Sequence, residues 1–320
     1  MTVEIVSTAA GLEAMEPEWW GLWERDSEAT PFHSPAWLLP WWRVFGEGLP
    51  LSVAVRRHGE LAGFAAFYRR REPGVRKLLP LGAGISDYLD PLDGQGRESA
   101  VGPAILAALA DQRGSFDRAD LMGQRGGSCL LDSASAGCTV AAEEPAPVLD
   151  LTAELPKPRL AKLDYYRRRA ERLGSVRLET ATAANLNGML SALFALHRSR
   201  WQKKGGAGVL ADPRLRAFHG MAARELLRRG LLRLLVLRIA DRPAAAFYGF
   251  ADRSRWHAYI GGFDSELPHP GLGAMLLGQV IELARDEGAN ELHLLRGREP
   301  YKYAWGAVDR PLWNLCLRPA

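Results

Sequence analysis

A segment near the C-terminus, LRGREPYKYAWG (Leu295 to Gly306), gathers two kinds of cation, two phenols and two glycines within one short stretch. Upstream of it, GLGA (Gly271 to Ala274) opens the apolar helix signature HPGLGAMLLGQVIELARDEG, which runs from His269 to Gly288. Gly271 and Gly273 let backbone N–H groups approach a diphosphate closely, and a helix N-terminus offers that diphosphate partial positive charge. A glycine turn at the start of an ordinary helix has the same signature. Arg296 follows the apolar run ELHLL, so its guanidinium emerges at the C-terminal end of a strand, where ligands of α/β folds gather. A bidentate donor there suits phosphate or carboxylate, and a surface salt bridge to Glu299 is the competing reading. Lys302 sits between Tyr301 and Tyr303 and is followed by Trp305, a cation among stacking surfaces. Strand, glycine loop, helix, strand and polar aromatic cluster, in that order, point to acyl transfer from a phosphorylated thioester.

These residues need two domains' worth of scaffold. A chain of 320 residues, 47% hydrophobic and 24% charged, is ordinary for a globular protein and long for one core. The first part reads as a strand at Val3 to Val6, helices around Trp19 to Trp23 and Pro35 to Phe45, and a hairpin of Leu51 to Arg57 with Leu61 to Arg69. Strands at Val75 to Leu81 and Arg118 to Met122 and a helix near Ser99 to Asp111 follow. Pro145, Pro147, Pro156 and Pro158 then cluster, and prolines stop helices and central strands, which places a boundary between residues 1–148 and 149–320. Beyond it, helices are predicted at Leu160 to Leu173, Asn185 to Trp201 and Pro213 to Arg229, with apolar residues recurring at three and four spacing. A three-stranded meander (Leu231 to Ala240, Ala244 to Phe250, Trp256 to Phe263) precedes the glycine-opened helix. A strand at Glu291 to Leu295 and a last strand near Leu312 to Leu317 complete this second domain. The fold class is therefore α/β, with two similar domains, each a mixed, mostly antiparallel sheet flanked by helices.

The second half resembles the GNAT-superfamily acyltransferases of the CelD type, which are related to the Fem-type aminoacyl transferases. The resemblance rests on LRGREPYKYAWG, on ProGlyLeuGlyAla before it, on HRSRW (His197 to Trp201), and in the first half on PFHSPAWLLPWW and LPLGAGISDYLDP (Leu79 to Pro91). It implies tandem GNAT-like domains, an acyl-CoA or aminoacyl ester as donor, and an amine or hydroxyl acceptor. Gly271, Leu272, Gly273 and Ala274 then match the donor's phosphate loop. That loop departs from the family at Pro268, where Gln or Arg is usual, and His293 stands where an acid is frequent. Tyr301 and Tyr303 match the tyrosine that returns a proton to the leaving thiolate, and Lys302 matches an active-site lysine of the Fem-type relatives. Arg200, Trp201 and Glu299 fall on the acceptor side. Asp87, Tyr88 and Asp90 of SDYLD would face a cleft between the domains if these pack as in the family, with turn capping the alternative for the two acids.

The general base is open. His197 is one candidate, yet it continues the apolar stripe of Leu186, Leu190 and Leu193 and equally fits a satisfied buried histidine. Aminolysis of a thioester gains most from holding amine and carbonyl together, about 7–11 kcal/mol in good cases, so a missing base does not exclude it.

Other classes lose support. There is no Walker loop, HExxH, GxSxG or nucleic-acid-binding motif, which removes kinase, zinc-protease and serine-hydrolase readings and leaves DNA without a binding element. Cys129, Cys138 and Cys316 show no CxxC pairing, which fits reduced thiols and argues against zinc. No apolar run is long enough to span a bilayer and no basic leader precedes the first strand, so a cytoplasmic protein is expected. The run from Lys157 to Arg177 holds eight Lys or Arg against two acids, a solvated helix face or a strip for a polyanion such as a tRNA acceptor arm. Expected, then, is an acyltransferase with acyl-CoA as co-substrate, no tightly bound cofactor, no metal, and a small-molecule or sugar-linked amine as acceptor. A Fem-type tRNA-dependent transferase and a non-catalytic binding module are the alternatives, and the oligomeric state is open.

Overall fold

The computed structural model describes residues 1–320 except 95, 97–99, 136, 204, 268–270 and 318–320. Ser99, Pro268 and His269, named above, lie outside the described residues. The chain forms two compact units, Met1–Glu144 with Arg310–Ala320, and Pro145–Asp309.

The first unit contains β1 (Thr2–Val6), α1 (Ala9–Ala14), α2 (Glu16–Arg25), α3 (Pro35–Phe45), β2 (Leu49–Pro50), β3 (Ser52–Arg57), β4 (Glu60–Ala65), β5 (Phe67–Glu72), β6 (Val75–Pro80), β7 (Leu92–Asp93), α4 (Val101–Asp111), β8 (Arg118–Arg125), α5 (Cys129–Asp132) and β9 (Cys138–Ala142). The expected hairpin exists as β3 and β4. Its second arm ends at Ala65, and Phe67 onward crosses into another sheet as β5. Strand orders are β1-β3-β4-β7 and β2-β5-β6-β8, with β6 and β8 parallel. Val53, Phe67, Ile105, Phe116 and Leu121 form its core beneath α4.

The second unit runs β10 (Ala146–Asp150), α6 (Lys157–Glu171), β11 (Val176–Thr180), α7 (Leu186–Gln202), α8 (Pro213–Arg228), β12 (Leu232–Ile239), β13 (Arg242–Asp252), β14 (Arg255–Phe263), α9 (Leu272–Asp286), β15 (Glu291–His293), α10 (Pro300–Tyr303) and β16 (Val308–Arg310). They build one sheet in the order β11-β12-β13-β14-β15-β10-β16. The meander β12-β13-β14 is antiparallel, as its alternating apolar residues and tight turns require, and β15 joins β14 in parallel after the α9 crossover. The apolar stripe of α9 (Leu272, Met275, Leu276, Val280, Ile281) fills one core with Phe247, Trp256, Leu292 and Trp305.

Two expectations are corrected. The strand β17 (Leu312–Leu317) does not complete the second unit. It pairs with β8 and β9 in the first, where Leu315 lies fully buried against that unit's core. Of the clustered prolines, Pro145 lies in the gap between β9 and β10, but Pro147 does not interrupt regular structure. Pro147 lies in β10, where its carbonyl accepts from Leu294 N at 2.8 Å and only the reciprocal bond, for which proline has no N–H, is missing. The boundary placed at 148/149 from the prolines thus falls inside a strand.

Candidate functional site

The sheet of the second unit is opened at one place. Pairing of β14 with β15 stops at His257↔His293, although β14 continues to Phe263. After His293 the chain follows β10 instead: Leu294 N donates to Pro147 O at 2.8 Å and Gly297 N to Pro145 O at 3.2 Å. The β14 edge from Ala258 onward is therefore left without a neighbouring strand on that side among the described residues. Burial changes at the same point, from fully buried Trp256 and His257 to half-buried Ala258 to Gly261. A bulge at Tyr259, where the β13–β14 register shifts, adds twist to the strand just as it separates.

Lys302 holds this opening. Its ammonium is 2% exposed and donates to the carbonyls of Leu295 (2.8 Å), Arg296 (2.8 Å) and Gly297 (3.0 Å), with Glu299 Oε2 at 3.0 Å. Those carbonyls converge because Leu295 takes φ 60° and Gly297 φ 114°, a left-handed turn that a leucine enters only under constraint. Lys302 is thus fully engaged and acts by position. The sequence alternation is realised on the single turn of α10: Lys302 points inward, while Tyr301 and Tyr303 are 44% and 37% exposed.

The two tyrosines differ. Tyr303 Oη donates to Asp309 Oδ1 at 2.7 Å, and Asp309 is in turn paired with Arg298 at 3.2 Å. Tyr301 has no such partner among the described residues; burial raises its pKa, the Glu299 charge adds to this and Arg200 opposes it. Burial also acts to raise the Glu299 carboxyl, but the hydrogen bond from Lys302, with the Lys302 and Arg200 charges, holds it below its usual value. Glu299 is consequently a partner of Lys302, and the Arg296 side chain is half-buried.

The start of α9 lies beside the same strand end. Gly271 is left-handed at φ 90°, and a Cβ there would lie 2.5 Å from the ring of Tyr166, so the α6 tyrosine covers this residue. Gly273 is exposed, with space toward Phe263 Cδ1 at 3.7 Å from a virtual Cβ, while Ala274 is half-buried and Leu272 faces the core. Among the described residues no side chain caps the helix, so none of them claims the amides of its first turn. Tyr166 and Phe263 were not singled out by the sequence; each is one aromatic among many until its neighbour is known.

The last turns of α7 close the other side. Gly262 has no room for a side chain against the backbone of His197, which lets the helix lie directly on β14. His197 is 4% exposed; burial, and then the Arg200 charge, lower its pKa to about 4, so the ring is neutral at pH 7. Its Nδ1 has no hydrogen-bond partner among the described residues, a state that costs about 1–3 kcal/mol when buried. Trp201 stacks obliquely on His197 at 6.0 Å and packs over Gly208. Arg200 donates from Nη1 to Gly261 O at 3.2 Å and lies 5.5 Å from the Phe263 ring centre. Beneath this face His219, also pushed down by burial to about 3, contacts Tyr248 and Tyr259. Arg200, Tyr301, Glu299, Phe263 and Gly273 therefore share one neighbourhood, reached from α7, α10, β14 and α9.

His293 is turned away from it. Its Nε2 meets Glu291 Oε2 at 3.1 Å and its ring lies tilted 4.8 Å from that of His257, its partner in the last β14–β15 pair, where burial lowers its pKa to about 3. The first-unit candidates are also accounted for locally. Asp90 is 8% exposed and receives Arg125 Nε and Nη2 at 2.9 and 2.6 Å, with His33 Nε2 at 3.5 Å. Burial disfavours this carboxylate, but Arg125 and His33 outweigh that and hold its pKa well below the usual range. Tyr88 is buried with the Arg125 guanidinium 5.2 Å from its ring centre, and Asp87 is half-buried. Asp90 is thus a buried ion pair fastening its loop to β8.

Comparison with known proteins agrees with this geometry. Residues 158–303 match the acetyltransferase (GNAT) domain family. The fold is similar to the crystal structure of FemX, with TM-score 0.66 at 10% identity over 98% of this chain and 97% of that one. It is also similar to L-PGS from Bacillus licheniformis, TM-score 0.63 at 12% identity over 95% and 91% of the two chains. A tandem GNAT protein from the clavulanic acid biosynthesis pathway aligns over 100% of this chain and 99% of that one, TM-score 0.50 at 13% identity. No curated protein matches the chain. At such identities the likeness is one of fold: tandem GNAT-like units built of sheets flanked by helices, the second holding the stretch that matches the acetyltransferase (GNAT) domain family.

Two outcomes are expected from this geometry. Lys302→Met leaves the carbonyls of residues 295–297 without their donor, and about 1–3 kcal/mol of unfolding free energy is expected to be lost for each that stays unsatisfied, measured by urea titration. His197 gives a pH dependence. Below about pH 6.5 the unfolded chain takes up a proton that the folded chain refuses until about pH 4, so stability falls with acid across that window. His197→Gln should flatten that decline by one proton's worth, and an unchanged slope would show that the ring is not buried neutral.

Proposed function

We propose that the second unit transfers an acyl group from an acyl-CoA thioester, acetyl-CoA or a longer homologue, to the amine or hydroxyl of a small-molecule or sugar-linked acceptor. The observation that carries this reading is the separation of β14 from β15 beside the start of α9. An extended amide-bearing carrier can hydrogen-bond to the exposed edge of β14 at Ala258 to Phe263, and its phosphates then meet the first-turn amides of α9 at Gly273 and Ala274. Tyr166 over Gly271 restricts that approach to the Gly273 side.

In this arrangement the acceptor nitrogen attacks the thioester carbonyl, the tetrahedral adduct collapses, and the thiolate leaves with a proton. Tyr301 supplies that proton, because its hydroxyl has no hydrogen-bond partner among the described residues while Tyr303 is committed to Asp309. Lys302 fixes the turn that carries Tyr301 and takes no proton itself. His197, buried and unprotonated down to about pH 4, is too weak a base to hold the acceptor's proton, which passes to solvent, and most of the acceleration comes from holding the two reactants together. The CelD-type assignment rests on the sequence motifs named above.

A tRNA-dependent transfer of Fem type is the second reading. It is favoured by α6, whose outward face carries Lys157, Lys162, Arg168 and Arg172 around Tyr165, 49% exposed, and Leu160, 41% exposed. Activity that disappears on RNase treatment would assign the donor to tRNA. None of the described helices is long and apolar enough to cross a membrane.

Thiol release from acetyl-CoA and longer acyl-CoAs with a panel of amines is the direct assay. Tyr301→Phe is expected to lower kcat by about 10²–10⁴-fold, with the thermal midpoint unchanged because the residue is exposed. Absence of turnover and of calorimetric binding across the acyl-CoA series would instead leave a binding module.

A further inference from the structure

Among the described residues, Arg200 is a polar group of the cleft whose geometry is fixed by the protein while the Nε side of its guanidinium makes no hydrogen bond. Its Nη1 is used by Gly261 O at 3.2 Å, and Phe263 supports the guanidinium plane. Its Nε is buried without a hydrogen-bond partner among the described residues, and the side chain's one hydrogen bond there is made by Nη1, not Nη2. The N–H groups of Nε and Nη2 are parallel and form the side-on fork that fits a planar oxyanion. The nearby carboxylate does not close it: Glu299 is drawn to Lys302 at 3.0 Å. Of the three charges that act on one another here, Arg200, Lys302 and Glu299, one positive charge is left uncompensated.

Water could satisfy the N–H groups but would not balance that charge. Phe263, the ring against Arg200, is also the ring beside Gly273, so an anion held at the fork would lie next to the α9 tip and the opened β14 edge. We propose that Arg200 is an oxyanion clamp, gripping a carboxylate or phosphate of the bound substrate through Nε and Nη2. This deepens the acyl-transfer reading and rests on it for the identity of the substrate, though not for the binding of an anion. Two sources of the oxyanion share this chemistry, a carboxylate on the acceptor amine and a phosphate of the CoA donor. A lysine in this place would keep the charge and lose the fork.

The test uses the full chain and the variants Arg200→Lys and Arg200→Gln, with calorimetric binding of two matched pairs: coenzyme A with pantetheine, and 4-aminobutyrate with butylamine. Arg200→Lys is expected to weaken the anionic member of one pair by about 10–100-fold and to leave the uncharged-tail member within about twofold, since charge-assisted bidentate bonds carry about 1.5–3 kcal/mol. A split confined to coenzyme A assigns the clamp to the donor phosphates, and one confined to 4-aminobutyrate assigns it to an acceptor carboxylate. The proposal is overturned if both variants bind all four compounds as the unaltered chain does, if both members of each pair weaken equally, or if the unaltered chain binds none of them. Thioester turnover, assayed in parallel, separates the two ideas: a split without turnover keeps the clamp and removes the transferase, and turnover unaffected by Arg200→Lys does the reverse.

Discussion

A single ammonium group governs the architecture of the cleft. Lys302 gathers three successive carbonyls around itself inside the protein, and that forces the chain leaving β15 to turn in a left-handed bend at Leu295. Because the bend carries the backbone toward β10, β14 loses its neighbour after His257. A parallel pair would otherwise continue, since both strands still have unpaired groups to offer. The opening is therefore a consequence of a satisfied buried charge, and the exposed tyrosine next to that charge is placed by it.

The surrounding elements exploit the opening in different ways. Gly262 lets α7 approach β14 closely enough for His197 and Arg200 to reach the strand's end. Burial then keeps His197 uncharged, while Arg200 keeps its charge with only a backbone carbonyl and an aromatic ring for company. The first unit handles comparable groups differently. Asp90 and Arg125 are buried against one another in bidentate fashion, with His33 alongside, so the carboxylate's charge is met by its own unit. Similar folds thus carry a closed polar network in one unit and an open one in the other, which is why the chemistry is placed in the second.

Much of this was legible in the sequence where structure is local. The meander of β12, β13 and β14 and the helices α7, α8 and α9 follow from periodicity and turn residues. What was not legible depends on distant partners. The last strand has the same alternation whether it pairs in one unit or the other, and only its contact with β8 and β9 decides. The strands β10 and β11 are short and carry Pro147 in one case and Arg177 and Glu179 in the other, so neither announces itself. Lys302 read as a reactive cation because its carbonyl partners are backbone, which no side-chain pattern reveals. Tyr166 over Gly271 is equally invisible, since it requires α6 to lie along α9.

The central claim is that the separated edge of β14 and the first turn of α9 form one surface for an amide-bearing, phosphorylated donor. Amide hydrogen exchange of the full chain, with and without saturating acetyl-CoA, addresses it directly. Slowed exchange is expected at Ala258 to Phe263 together with Gly273 and Ala274, because those amides gain partners on binding. Protection that appears elsewhere while these two segments exchange at an unchanged rate would contradict the account.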